Sequence, residues 1–121
     1  MKTGTSSNAN AVLVKAFIRA GEGLALNDND LAAVLGEQVS TVVLIRCGNE
    51  LLKPSTEAWS RAILLVEVYQ SLLALVRTER NAKIWLSSHN RGLSGRPRDL
   101  IECRTGMEQV VQYLAATRAL I

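Results

Sequence analysis

The segment from Pro54 to Val76 reads PSTEAWSRAILLVEVYQSLLALV, and its part from Ala62 to Val76 is the stretch richest in apolar residues. Pro54 suits the first turn of a helix, because the N–H that proline lacks would have no intrahelical partner there. A helix of this length spans about 35 Å, at about 1.5 Å per residue. The apolar side chains recur at steps of three and four residues, as on one face of a helix; they are Trp59, Ala62, Ile63, Val66, Tyr69, Leu73 and Val76.

Other leucines and valines widen this apolar stripe nearly all round the long helix. A helix that is apolar on most faces must be covered on most faces. In a chain of 121 residues, we expect part of that cover to come from a second copy. The sequence therefore predicts a homodimer that forms through the N-terminal half and the long helix, with contacts from Trp59, Ile63, Val66, Tyr69 and Leu73.

Shorter helices are predicted on both sides of this segment, bracketed by residues that start or stop helices. On the N-terminal side they are residues 10–20, a helix capped by Asn27 or Asp28 and closed by Gly36, and residues 41–47 capped by Ser40. On the C-terminal side they are residues 82–86, residues 98–102 and a last helix that ends near Ala119. Thr105 and Glu108 have the spacing of a capping box at the start of this last helix. The run from Val42 to Ile45 is β-branched enough for a strand, but its neighbours favour a helix.

Composition excludes several classes of protein. With 121 residues, 48% of them hydrophobic, the chain is one domain, or two small lobes that share a core. Aromatic residues, at 4%, are too few for a base-stacking platform. The single histidine, His89, excludes most zinc sites, and Cys47 and Cys103 are expected to be small buried side chains. We predict no catalytic residue, cofactor or metal, and keep a small enzyme with His89 as general base only as a third alternative.

Charge is unevenly distributed along the chain. Residues 1–60 carry a net charge of −1 and residues 61–121 a net charge of +4. Most of the excess lies between Arg77 and Arg104. A basic patch of this kind can attract nucleic acid, an anionic ligand or an acidic protein surface, or it can simply be a solvated face. The N-terminal residues are polar with no long apolar region after them, so we expect no signal peptide and a cytoplasmic location.

The second and third predicted helices have the lengths and the short turn of a helix-turn-helix. In that motif the second helix enters the major groove of DNA. The candidate DNA contacts are then Ser40, Thr41, Val42 and Ile45, with Arg46 and Lys53 near phosphates. This half of the chain is net negative, whereas DNA affinity depends largely on cations. A helical scaffold that does not bind DNA by itself therefore remains an equal alternative.

The stretch from Trp85 to Leu100 reads WLSSHNRGLSGRPRDL. It resembles the hallmark of the Xre/MbcA/ParS-type antitoxins, which partner RES-domain toxins in bacterial type II toxin–antitoxin systems. The N-terminal half resembles the Xre-like helical domain of the same family, whereas His89 and Arg91 stand where prolines are common in it. The matching positions are Trp85, Leu86, Asn90, Leu93, Gly95, Arg96, Pro97, Asp99 and Leu100, followed by Gly106, Val110 and Leu114.

The resemblance implies an all-α fold in three parts. These are a disordered tail over residues 1–9, an Xre-like helix-turn-helix and dimerisation domain over residues 10–78, and a small toxin-binding domain over residues 79–121. It implies an antitoxin without enzymatic activity, which occludes the active site of a toxin that degrades NAD or uses it for ADP-ribosylation. Repression of its own operon is part of this implication, and the alternative is a helix-turn-helix transcriptional regulator that binds operator DNA.

The loop before the last helix is the predicted contact with the toxin. Gly92 and Gly95 are expected to allow unusual backbone shapes, and the arginines to pair with carboxylates of the toxin. Trp85, Leu86 and Leu100 are expected to pack in the core. The predicted toxin-binding residues are Asn90, Arg91, Leu93, Gly95, Arg96, Pro97, Arg98 and Asp99.

Overall fold

The computed structural model describes residues 4–49 and 52–120, with side chains from residue 9 onward. Within these ranges the chain forms seven helices and no strand. The predicted all-α fold is confirmed. The helices are α1 (Gly4–Gly23), α2 (Asp28–Leu35), α3 (Val39–Arg46), α4 (Glu57–Val76), α5 (Glu79–Ser87), α6 (Pro97–Leu100) and α7 (Arg104–Ala119).

The predicted long helix, α4, is the centre of the molecule. It packs against α1 and α2 from the N-terminal half and against α5 and α7 from the C-terminal half. One core therefore runs through both halves, from Phe17 and Leu31 to Met107 and Leu114. By length and composition alone α4 could cross a membrane, a test that the core helix of a soluble protein also passes.

Local chemistry fixes the ends of several helices. The side chain of Asn27 accepts a hydrogen bond from the N–H of Asp30, whose carboxylate accepts one from the N–H of Asn27, at 2.8 and 2.9 Å. Gly36, with φ of 72°, ends α2 in the left-handed conformation that glycine favours. Thr78 caps α5, since its hydroxyl accepts a hydrogen bond from the N–H of Asn81 at 3.1 Å. These reciprocal caps satisfy backbone groups that a helix end leaves unpaired.

Five predicted helix starts are corrected, one of them that of α5, which begins at Glu79 and not at residue 82. Helix α1 begins at Gly4, so residues 4–9 are helical where a disordered tail was predicted; residues 1–3 lie outside the described residues. Helix α4 begins three residues after Pro54, because the Thr56 hydroxyl caps it by accepting from the N–H of Trp59. Gln38, rather than Ser40, precedes α3. The capping box at Thr105 does not form, since Cys103 precedes α7 and the carboxylate of Glu108 pairs with Arg104.

The two cysteines were expected to be buried, and both are exposed. Cys47 directly follows α3, and Cys103 directly precedes α7. Residues at such helix boundaries lie where the chain turns at the surface, which the apolar character of a thiol does not reveal.

A polar cluster, here called the Glu79 cluster, joins α1, α4 and α5. The carboxylate of Glu79 accepts hydrogen bonds from the hydroxyl of Tyr69 and from the guanidinium of Arg19, both at 2.5 Å. Gly23 provides the space, because a Cβ there would lie 2.8 Å from both Tyr69 Cζ and the Glu79 carboxylate. The first helix of the chain is thereby tied to the C-terminal half.

The Glu79 cluster predicts a specific loss of stability in acid. The hydrogen bond from Tyr69, followed by that from Arg19, lowers the pKa of Glu79 from its ordinary value of 4.5. A carboxylate with a lowered pKa stabilises the fold above its unfolded pKa, and this contribution is lost as the pH falls through the folded pKa. We expect Glu79→Gln to be less stable than the wild type at about pH 7 and to lose less stability on acidification below about pH 5. Urea denaturation across this pH range measures how the free energy of unfolding depends on pH for the wild type and for the variant. The same pH dependence in both proteins would contradict the stabilising role of the Glu79 carboxylate.

Candidate functional site

The segment between α5 and α6 forms a closed loop over residues 90–95, here called the 90–95 loop. The N–H of Asn90 donates to the carbonyl of Gly95 at 2.8 Å, and the N–H of Gly95 donates back at 3.2 Å. Inside the loop, the Asn90 side chain accepts from the N–H of Leu93 at 3.1 Å. The N–H of Ser94 donates to the carbonyl of Arg91 at 3.2 Å. The loop is therefore held by its own hydrogen bonds.

Helices α5 and α7, which flank the 90–95 loop, are joined by an aromatic pair. Trp85 of α5 stacks on Tyr113 of α7, with ring centroids 6.3 Å apart and planes 30° apart. Leu93 is half-buried and packs against the core beside them. Our sequence reasoning missed Tyr113, because the spacing of residues along the chain does not show that α7 passes under the loop. This support fixes the position of the loop relative to the helices.

The glycines of the loop do not adopt the unusual backbone conformations that were predicted for them. Neither Gly92 nor Gly95 has a positive φ, and it is Ser94 that adopts the left-handed conformation, with φ of 59°. Gly92 is instead required for space, because a Cβ there would lie 2.6 Å from Tyr113 Cε1. A Cβ at Gly95 would meet nothing within 4 Å.

The four residues after the loop are held by contacts inside the chain. Both oxygens of Asp99 accept hydrogen bonds from Arg96, each at 3.0 Å. Arg98 pairs with Asp30 at 2.6 Å and thereby ties α6 to α2. Pro97 is buried at the start of α6. That Arg96 and Arg98 pair with toxin carboxylates stays a prediction; within the chain both guanidinium groups have carboxylate partners.

Of the remaining predicted contact residues, Arg91 is the one that points to solvent. Its side chain is exposed and makes no ion pair within the described part of the chain. Asn90, Leu93 and Gly95 are half-buried, because the loop closes on itself and packs on the core. A binding partner would therefore meet Arg91 and the outer backbone of the loop first.

Beside the loop lies a groove of about 480 Å³. Gly92, Leu93 and Ser94 form one wall, and the α7 side chains of Gln109, Gln112 and Tyr113 form the other. Amide, hydroxyl and ring groups in one concave surface can hold a protruding side chain of a partner protein.

A second, apolar groove lies between α1 and α4, and is here called the α1–α4 groove. It has a volume of about 580 Å³. Val12 and Ile63 are 67% and 40% exposed there. Three of the predicted dimer contacts, Trp59, Ile63 and Val66, line this groove. The other two do not: Tyr69 is buried in the Glu79 cluster, and Leu73 packs against the core. The residues that line the groove are Ala9, Val12, Leu13, Ala16, Trp59, Ile63, Val66, Glu67 and Gln70.

Helices α2 and α3 follow one another across a short turn and pack together, as in a helix-turn-helix. Val42 and Ile45, predicted to touch DNA bases, are 0% and 2% exposed in the core. That part of the prediction is wrong, because the apolar face of α3 packs against its neighbours. Arg46 pairs with Asp28 at 2.6 Å.

The outer face of α3 is largely apolar. Val39, Val43 and Leu44 are each about 40% exposed. Of the other predicted DNA contacts, Ser40 and Lys53 are exposed and Thr41 is half-buried. A base-reading helix needs side chains that hydrogen-bond base edges, which valine and leucine cannot do.

Among the described residues, no group of three histidine, cysteine or acidic side chains is placed to hold a metal ion. His89 is exposed just before the 90–95 loop. Its imidazole makes no hydrogen bond to another described residue.

A loop held by its own hydrogen bonds beside a groove is a surface suited to binding another protein. Residues 71–119 match the family model of the antitoxin Xre/MbcA/ParS C-terminal toxin-binding domain. The matched range includes the stretch from Trp85 to Leu100, so the predicted resemblance is confirmed for this part of the chain. The match begins inside α4, ahead of the boundary predicted at residue 79. A comparison with curated proteins finds no match.

The matched domain indicates a general role for this part of the chain. A toxin-binding domain of an antitoxin neutralises a toxin by binding it. The matched range contains α5, the 90–95 loop, α6 and α7.

Proposed function

We propose that this chain is the antitoxin of a RES-domain toxin that consumes NAD, and that it acts by covering the toxin's active-site cleft in the cytoplasm. The match of residues 71–119 to a toxin-binding domain carries the proposal. The resemblance of residues 85–100 to the antitoxins that partner RES-domain toxins supplies the class of toxin.

The proposed contact surface is the 90–95 loop with the neighbouring groove on α7. A loop that is already ordered loses little conformational entropy on binding, which favours affinity. Arg91 is placed to pair with a toxin carboxylate, while Asn90, Leu93 and Gly95 keep the loop in shape. Arg96, Pro97, Arg98 and Asp99 support it through their contacts inside the chain.

We also propose that the antitoxin is a homodimer that pairs through the α1–α4 groove. The groove exposes several apolar side chains on neighbouring helices, and burial of such a surface favours association. Pairing there leaves the 90–95 loop of each copy accessible, because the loop lies on α7 and not on α1 or the groove side of α4.

Coexpression with the protein encoded beside this gene tests the proposed function. We expect the two proteins to elute together in size-exclusion chromatography at micromolar concentration. We also expect the NAD consumption of the purified toxin to fall as the antitoxin is titrated in. Separate elution, or unchanged NAD consumption at saturating antitoxin, would overturn the proposal.

Operator binding is the second candidate function, favoured by the helix-turn-helix arrangement of α2 and α3. Ser40 and Lys53 are the predicted DNA contacts that remain exposed. A mobility shift on the promoter of the operon, repeated at several salt concentrations, separates the two roles. Binding that weakens steeply with salt supports repression. If neither the free protein nor its complex with the toxin shifts the promoter DNA, operator binding is excluded and toxin inhibition is the only role that remains.

A further inference from the structure

The basic excess of the C-terminal half is concentrated on α5 and its two ends. Of the seven cations between Arg77 and Arg104, three have carboxylate partners inside the chain, namely Arg96, Arg98 and Arg104. The other four are exposed and form no ion pair with any residue that the structure describes; they are Arg77, Arg80, Lys83 and Arg91. Cations without an ion-pair partner favour an anionic partner, although Lys83 also acts on Glu79 at longer range and lowers the pKa of that carboxyl.

Two of these cations lie on the outer face of α5, here called the α5 stripe, which consists of Arg80, Lys83, Ile84 and Ser87. Residues three, four and seven positions apart share one face of a helix. The opposite face holds Ala82 and Leu86, both fully buried. The α5 stripe therefore points away from the core.

Helix α5 is also firmly held in place. Its first turn is capped by Thr78, and the Asn81 side chain donates to the carbonyl of Val76 at 2.9 Å. Glu79 joins it to α1 and α4 through the Glu79 cluster. A partner that binds the α5 stripe would meet a surface that needs no reordering.

Ile84 lies at the centre of the stripe and is 55% exposed. Within residues 71–119 it is the one large hydrophobic side chain that the structure describes as exposed. An apolar side chain on a rigid helix, flanked by charges, has the form of an interface anchor with a polar rim.

We propose that the α5 stripe binds an acidic surface of the toxin, with Ile84 in an apolar site and Arg80 and Lys83 paired with carboxylates beside it. Arg91 extends this contact to the 90–95 loop. The inference rests on the proposed function and adds a second contact surface to it. A protein partner fits better than nucleic acid, because the phosphate backbone, which supplies most of non-specific DNA affinity, offers no apolar site for Ile84.

The test measures the affinity of the purified antitoxin variants for the toxin encoded beside the gene. We expect the double variant Arg80→Glu/Lys83→Glu to bind about 100-fold more weakly, mainly through slower association and with less dependence on salt. Ile84→Ala is expected to weaken binding about tenfold through faster dissociation. All three side chains are exposed, so the thermal midpoint of Ile84→Ala should remain close to that of the wild type. Lys83 helps to lower the pKa of Glu79, so the charge reversal is expected to lower the thermal midpoint slightly, and its affinity is measured at a temperature where the variant is fully folded.

Two matched controls lie outside the matched domain. Lys15→Glu reverses the charge of an exposed lysine on α1 that has no ion-pair partner and does not line the α1–α4 groove. Val43→Ala shortens an apolar side chain on α3 that is 43% exposed. Both are expected to bind the toxin as the wild type does.

The outcomes separate this inference from the proposed function. If the wild type does not bind the toxin, both the proposed function and the second contact surface are overturned. If the wild type binds and the α5 variants bind as tightly as their controls, the second contact surface is wrong and the proposed function stands. If the charge reversal abolishes binding to duplex DNA and leaves toxin affinity unchanged, the α5 stripe is a nucleic-acid surface and the inference is overturned.

Discussion

Gly106→Ala is expected to lower the free energy of unfolding by about 3 kcal/mol. Gly106 is buried in the first turn of α7, where this helix passes α6. A Cβ there would collide with the carbonyl oxygen of Leu100 and lie 2.8 Å from its carbonyl carbon. Heavy atoms essentially never come closer than 3.0 Å to a Cβ. Since the obstructing atoms belong to the backbone, no change of side-chain rotamer can relieve the contact, and α6 must move away from α7.

Gly95→Ala is the matched control, since it adds the same methyl group where nothing lies within 4 Å. Its backbone hydrogen bonds to Asn90 do not involve the side chain, so we expect its stability to stay within about 0.5 kcal/mol of the wild type. Urea denaturation followed by circular dichroism measures both variants, and the thermal midpoint of Gly106→Ala should fall by about 10 °C. Equal stabilities for the two variants would show that α6 and α7 are not in close contact.

The helices were predictable because their ends depend on local chemistry. Asn27, Asp30 and Gly36 start and stop α2 with groups only a few residues apart in the chain. The apolar spacing from Glu57 to Val76 likewise marks a helix that other elements must cover. Such local signals can be recognised without knowing which helices pack against one another.

The predicted contact residues were less accurate, because their environment depends on distant parts of the chain. Arg98 pairs with Asp30, 68 positions away, so its charge is compensated in a way that no local pattern reveals. Val42 and Ile45 form an apolar face, and periodicity alone could not show that the rest of this chain covers it. The need for glycine at position 92 arises from Tyr113 on α7.

The loop itself was found through its resemblance to a family, and the structure adds a physical reason for its form. Asn90 bonds to the loop with both its backbone and its side chain, so the position of one residue sets the shape of the whole turn. Residues that hold the loop and residues that face a partner cannot be separated by residue type. Arg91 and Arg96 are both arginines in one short segment, yet only Arg96 has a carboxylate partner within the described chain.

Ile63→Glu is expected to convert the proposed dimer into a monomer, with at least about a 100-fold increase in the dissociation constant. Ile63 is 40% exposed in the α1–α4 groove, between apolar side chains of both helices. A carboxylate buried there would lose hydration without gaining a counter-charge, and Glu67 on the same wall would repel it. Sedimentation equilibrium over a range of protein concentrations measures the dissociation constant.

Leu44→Glu provides the comparison, because Leu44 on α3 is also 40% exposed but does not line the groove. It introduces the same charge and should leave the dimer intact, and the helical circular-dichroism signal of both variants should match that of the wild type. A monomeric wild type would exclude pairing through the α1–α4 groove. If Leu44→Glu is monomeric and Ile63→Glu remains a dimer, the two copies pair through the apolar outer face of α3, and the groove is left for a different partner.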